Sequence, residues 1–172
     1  MSIPEPKWLS IARSKIGVRE IRGPQHSPGV MGMVQRASGW LGIRVTDDET
    51  PWCGTFVAAC FADAGYKPPR GFIGVRAKAW ATWGMPCPTP ATRPSLGSVA
   101  VFGRDGGGHV GFVVGVHSNG DLDILGGNQG DAVNIRRFPR SRLLALRWPL
   151  GAAMGEPVTW ASARTQQTTG EA

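Results

Sequence analysis

The 172 residues are one domain's worth of chain, and 41% hydrophobic content with seven Trp excludes a disordered or fibrous polymer. A net charge of +7, from 19 basic and 12 acidic side chains, describes a surface attracted to polyanions: nucleic acid, anionic lipid or an anionic bacterial wall. Three cysteines without a CxxC pair argue against a disulfide scaffold or a four-cysteine zinc site, and no apolar window is long enough to span a membrane.

Lys7 to Ile16 carries Trp8, Ile11, Ala12 and Ile16 at helical spacing, and Gly17 ends that helix. Gly23 to Pro28 is a polar turn region. A weaker helix is expected from about Gly29 to Ser38, with Val30, Met33 and Val34 on its apolar side. Asp47-Asp48-Glu49-Thr50 forms an acidic linker that delivers the chain to Cys53. Gly54 to Ala64 is helical in pattern and apolar nearly all round, which predicts a buried helix; Asp63-Ala64-Gly65 and Pro68-Pro69 stop it. Val75 to Trp83 predicts a short helix closed by Gly84 and Pro86, and Pro86 to Pro94 a Pro-rich surface loop.

The pattern then changes. Ser98 to Phe102, Val110 to Val116, Leu122 to Leu125, Ala132 to Arg136 and Leu143 to Trp148 are short β-branched or aromatic runs separated by glycines, with Asn119-Gly120 as a hairpin signal. Helices first and strands after describe an α+β domain, its N-terminal helices packed on a C-terminal antiparallel β-sheet. The domain is expected to span residues 1–150, with 151–172, small and polar toward its end, as a flexible tail. The first residues hold no basic region followed by an apolar stretch, so the chain is expected to be made in the cytoplasm without a signal peptide.

Three residues have the types and order needed for nucleophilic catalysis. Cys53 heads the buried helix, where unpaired N–H groups and the macrodipole favour a thiolate and can also receive an oxyanion. His109, between Gly108 and Gly111 on a strand, has the chemistry of a general base. Asn128 lies 19 residues further on, enough for a hairpin and a return strand, so its amide can orient the imidazole. Gln129 is the neighbouring candidate for that role; pleating points adjacent residues to opposite faces, so only one should meet His109, and Asn128 is preferred. Glu49, Trp52, Gly54 and Gln129 are candidate substrate-binding residues. Cys60 reads as core, Cys87 as incidental, and His26 and His117 as solvated loop residues. Zinc at Cys53, His109 and His117 is disfavoured because no two of them have the close spacing of structural sites.

Pro6-Lys7-Trp8-Leu9, Gly17-Val18-Arg19-Glu20, Asp48-Glu49-Thr50-Pro51-Trp52-Cys53, Gly108-His109-Val110-Gly111-Phe112 and Leu125-Gly126-Gly127-Asn128-Gln129 together resemble a phage- and prophage-associated branch of the cell-wall hydrolases of NlpC and CHAP type, within the papain-like superfamily. The likeness spans about residues 6–149. It implies a papain-like NlpC/CHAP-type fold and cleavage of a peptidoglycan amide bond, as endopeptidase or N-acetylmuramoyl-L-alanine amidase. Cys53 would be the nucleophile, His109 the base and Asn128 the orienter, with no metal or organic cofactor. It departs from the pattern at Ser98, where relatives often have Asp, and in lacking an upstream tyrosine near the oxyanion, which leaves that task to backbone N–H groups near Cys53 or to another side chain. Bacterial peptidoglycan is the implied partner, not nucleic acid, for a monomer that reaches the periplasm or wall by holin, virion or secretion-system delivery. A toxin-like deamidase or acyltransferase, or a non-catalytic tail-structural protein, are the alternatives.

Overall fold

The computed structural model describes residues 4–21, 25–42 and 51–160. Helix α1, Lys7–Ser14, buries Trp8, Leu9 and Ala12 on one side, as their spacing predicts. Helix α2, Pro28–Leu41, starts at Ser27, whose side chain accepts from the Val30 N–H, and ends at Gly42 in the left-handed region, φ 68°. It is one turn longer than the sequence pattern predicts. Helix α3, Cys53–Ala64, is buried on every side from Cys53 to Ala62 and is closed by Gly65 at φ 90°. The predicted helix near residues 75–83 is two pieces instead: α4, Phe72–Val75, and a 3₁₀ segment, Ala77–Thr82.

Six antiparallel strands follow: β1, Met85–Pro86; β2, Val99–Arg104; β3, Gly107–Val116; β4, Leu122–Gly126; β5, Asn134–Phe138; and β6, Leu143–Trp148. They lie in the order β1-β6-β2-β3-β4-β5. The short β1, in the segment expected to be loop, pairs its two residues with Trp148 and Arg147 at the sheet edge. The α+β reading with helices on an antiparallel sheet is the observed architecture.

Alternation along β3 sorts its side chains between two cores. Val110 and Phe112 face α3, where Phe56 and Phe61 lie 6.2 and 5.5 Å from the Phe112 ring. Val113 joins Ala100, Phe102, Ile124 and Phe138 on the opposite face. A register shift between Val113 and Gly115 leaves Val116 on that second face too. The helical side holds an aromatic cluster in which Phe61 contacts Trp8, Tyr66, Trp80 and Trp83.

The domain does not stop at residue 150. Leu96 N–H donates to the Glu156 carbonyl and Val158 N–H to the Pro94 carbonyl, 2.7 and 2.8 Å, while Trp148 Nε1 donates to the Ala153 carbonyl. Val158 is buried in the second core. The expected tail is thus corrected over 151–160: small residues such as Gly155 lie against the Trp148 ring because they have no side chain to collide with it. The rest of that stretch, 161–172, lies outside the described residues. A chain ending at Leu150 should therefore be less stable than one ending at Trp160 by about 2–4 kcal/mol, from one buried Val and a few hydrogen bonds. Urea unfolding of the two proteins checks this, and coincident midpoints would contradict it.

Candidate active site

Cys53 is the first residue of α3, and no side chain among the described residues caps that terminus. Its thiol lies against the backbone N–H groups of Val110 and Gly54. Val110 directly follows His109 on β3, so the thiol sits at the point where the nucleophile helix crosses the histidine's strand. Gly54 was expected to admit substrate. The carbonyls of Val75 and Gly74 occupy the space a Cβ would need, so this glycine instead lets α4 close over the first turn of α3.

Helix-terminus dipoles do not make this thiol acidic. Burial pushes Cys53 above its ordinary value; the Val110 and Gly54 N–H groups and the positive charge of Arg104 pull the other way by less. At 3% exposure, desolvation of the thiolate outweighs the helix terminus. Burial thus favours the neutral thiol over the thiolate.

His109 projects from β3 to the face opposite Val110. Its ring stacks on Phe138 with centroids 4.8 Å apart and planes 12° apart, and its Nε2 lies 3.0 Å from Gln129 Oε1. The orientation of the Gln129 amide follows from its surroundings. Gln129 Nε2 donates to the carbonyls of Ile124 and Asn134 and to Asn134 Oδ1, at 3.2, 2.8 and 2.9 Å. All three neighbours are acceptors, so the oxygen must be the atom facing His109. An amide oxygen only accepts; His109 therefore carries its hydrogen on Nε2, and Nδ1 is the basic nitrogen. Gly126 makes this pairing possible, since a Cβ there would stand 3.0 Å from His109 Nε2.

The preference for Asn128 is thereby corrected. Asn128 takes φ 60°, turning the chain after β4, and it is Gln129 whose longer side chain reaches back under the imidazole. Asn128 is 1% exposed, and neither of its amide atoms has a hydrogen-bond partner among the described residues. Trp52 and Gln129, expected against substrate, are both buried: Trp52 Nε1 donates to Glu20 Oε2 at 3.2 Å, and Gln129 serves His109. Glu49 lies outside the described residues.

One stretch after α1 links the two halves of the site. Gly17 N–H donates to the Val133 carbonyl, Val133 N–H to the Val18 carbonyl, and Glu20 N–H to the Asp131 carbonyl. The turn carrying Gln129 and the Trp52 that precedes Cys53 are thus held by the same four residues. Gly127 lies against the Trp52 ring and Phe56 in the same place.

A cleft of about 450 Å³ opens beside Cys53, lined also by Pro51, Arg76, Lys78, Arg104 and Gly108. Sequence reading missed these three cations. Arg104 ends β2 and the other two flank the start of the 3₁₀ segment, so only the folded chain brings them together. His117, expected to be a solvated loop residue, is buried at the far end of β3 with Nε2 2.8 Å from Asp123 Oδ1.

Residues 45–128 match the family model of the CHAP domain, a span that includes Cys53, His109 and Asn128 and ends one residue before Gln129. That family belongs to the papain-like amidase and peptidase superfamily, and its members are typically cysteine-dependent amidohydrolases acting on cell walls. No curated protein and no solved structure matches the chain.

The environments of two thiols make opposite demands. Burial also pushes Cys87 up, but hydrogen bonds with Ser98, the Ser95 N–H and Thr89 outweigh it, so its net shift is downward. Iodoacetamide at pH 7 should label Cys87 before Cys53. In Cys87→Ser, labelling of Cys53 should climb with pH beyond the range of an ordinary thiol, because its thiolate is the disfavoured form. Peptide mass spectrometry across a pH series reads both rates, and faster labelling of Cys53 at pH 7 would refute the order.

Proposed function

We propose that this chain, whose residues 45–128 match the CHAP family model, is a CHAP-type enzyme that hydrolyses an amide bond of bacterial peptidoglycan through a thioester on Cys53. The observation that supports this most directly is the site's construction from two directions: a thiol at a helix terminus against the Val110 N–H, and, on the residue before Val110, an imidazole whose Nε2–H is held by Gln129. His109 Nδ1 would take the thiol proton as sulfur attacks the carbonyl carbon. The oxyanion would be received by the N–H groups at the start of α3, the tyrosine of related enzymes having no counterpart upstream. Collapse breaks the C–N bond, and the imidazolium gives its proton to the departing amine. Water, deprotonated by the same imidazole, then cleaves the thioester to a carboxylic acid and returns the thiol.

Gln129 does no proton chemistry in this scheme. Its carbonyl holds the productive tautomer and stabilises the imidazolium, the work an amide or carboxylate does beside a catalytic histidine. The net charge of +7 supports attraction to an anionic wall, and we place the action in the periplasm or on the wall after delivery by holin, virion or secretion machinery.

Two measurements test this. Purified sacculi incubated with the protein should release fragments with new amine and carboxyl ends, seen by mass spectrometry, and Cys53→Ala should release none. A folded protein that leaves several wall chemotypes intact would remove the wall assignment and move a deamidase or structural role ahead. Separately, Gln129→Ala should lower kcat by about 10²–10⁴-fold with little change in KM, a larger loss than Asn128→Gly. Equal losses would return the orienting role to Asn128.

A further inference from the structure

The imidazole of His109 is held by two residues of one strand. Asn134 and Phe138 stand at the two ends of β5, an even number of residues apart, so they share a face of the sheet. Phe138 fixes the plane of the ring by stacking on it. Asn134 acts on the ring through Gln129, which it grips at both ends. Its Nδ2 donates to the Gln129 carbonyl at 2.8 Å, while its Oδ1 accepts from Gln129 Nε2 at 2.9 Å. A main-chain carbonyl can only accept, so the Asn134 amide has one orientation, with Oδ1 toward Gln129 Nε2. The Gln129 amide then has one orientation too, with Oε1 toward His109. Both Asn134 and Phe138 lie beyond residues 45–128, the span that matches the family model.

From this, and resting on the hydrolase reading for its kinetic part, we propose that Asn134 is a positioning residue for His109, acting through Gln129. Gln129 needs such a tie because the chain around it is a turn. It stands between Asn128 at φ 60° and Gly130 at φ 63°, and its N–H donates to the Ala132 carbonyl at 3.0 Å. That main-chain bond shapes the turn and leaves the long Gln129 side chain free to rotate. The carbonyls of Ile124 and Asn134 receive its amide from the strands. The Asn134 side chain adds what they do not: its two bonds close a ring that ties Gln129 Nε2 to the Gln129 main chain. The aim of Oε1 is thereby set by the turn as well as by the sheet. A misaimed Oε1 stabilises the imidazolium less, and that loss falls on kcat rather than on substrate binding.

Asn134 is only partly buried, so Asn134→Ala should fold; Asn134→Leu, close to isosteric and equally without an acceptor, is measured beside it. In isotope-labelled protein the His109 Nε2 proton, assigned by NMR from its loss in His109→Ala, should exchange with solvent about tenfold faster in either variant. With soluble peptidoglycan fragments as substrate, kcat should fall about five- to tenfold while KM stays unchanged. In a Gln129→Ala background the same substitution should change kcat by less than about twofold, because the residue it acts through is gone. A full additional loss in that background makes Asn134 merely structural, and a change in KM alone makes it a substrate contact; either overturns the proposal. Unchanged Nε2 exchange with unchanged kcat overturns it too, while leaving the hydrolase reading in place. Faster exchange in a protein that leaves peptidoglycan intact upholds the positioning role and removes the hydrolase reading instead.

Discussion

Helix α3 is wedged between α1 and α2 on one side and β3 on the other, and no side chain from Cys53 to Ala62 reaches solvent appreciably. Its first turn is further closed by the carbonyls of Gly74 and Val75, which press on Gly54 where a side chain would otherwise be. A cysteine placed there has almost no positional freedom. That rigidity suits a nucleophile whose approach to a carbonyl must be set within a fraction of an ångström. The same enclosure favours the neutral thiol: the packing that fixes the sulfur also strips water from the thiolate.

Much of this was legible because burial and periodicity are local. The all-round apolar run of 54–64 announced a buried helix, and the glycine-punctuated β-branched runs announced the strands. The positions of Cys53 and His109 followed from those elements. Asn128 and Gln129 were harder to tell apart because pleating alone decides nothing once the chain leaves the strand. Asn is among the few non-glycine residues at ease with positive φ, and following Gly126-Gly127 it was a turn signal as much as a functional one. The turn put Gln129, not Asn128, beneath the imidazole.

Other features depended on contacts between distant segments. Arg76, Lys78 and Arg104 come from two separate elements, and nothing in their spacing foretells a shared cleft. The pairing of Met85–Pro86 with β6 and the return of 151–160 across the sheet are likewise invisible to periodicity, since both use short, irregular backbone. The acidity of Cys53 went the other way from expectation because the helix terminus acts within one turn, whereas desolvation depends on everything packed around it. His117 shows the same lesson at the opposite end of β3, where Asp123 on the adjacent strand takes a histidine that its loop position had suggested was solvated.

The division of the site between two faces of one sheet has a mechanical consequence. His109, Phe138 and Gln129 belong to the sheet and its turn, and move together. Cys53 belongs to the helical layer, joined to them by van der Waals packing, by the Val110 N–H and by the stitching of residues 17–20. Slippage of one layer on the other would change the gap between sulfur and imidazole while leaving the imidazole's bond to Gln129 intact. On the proposed mechanism the pair is a gauge of how well the two layers are seated, and catalytic competence would be the property most exposed to any loosening between them.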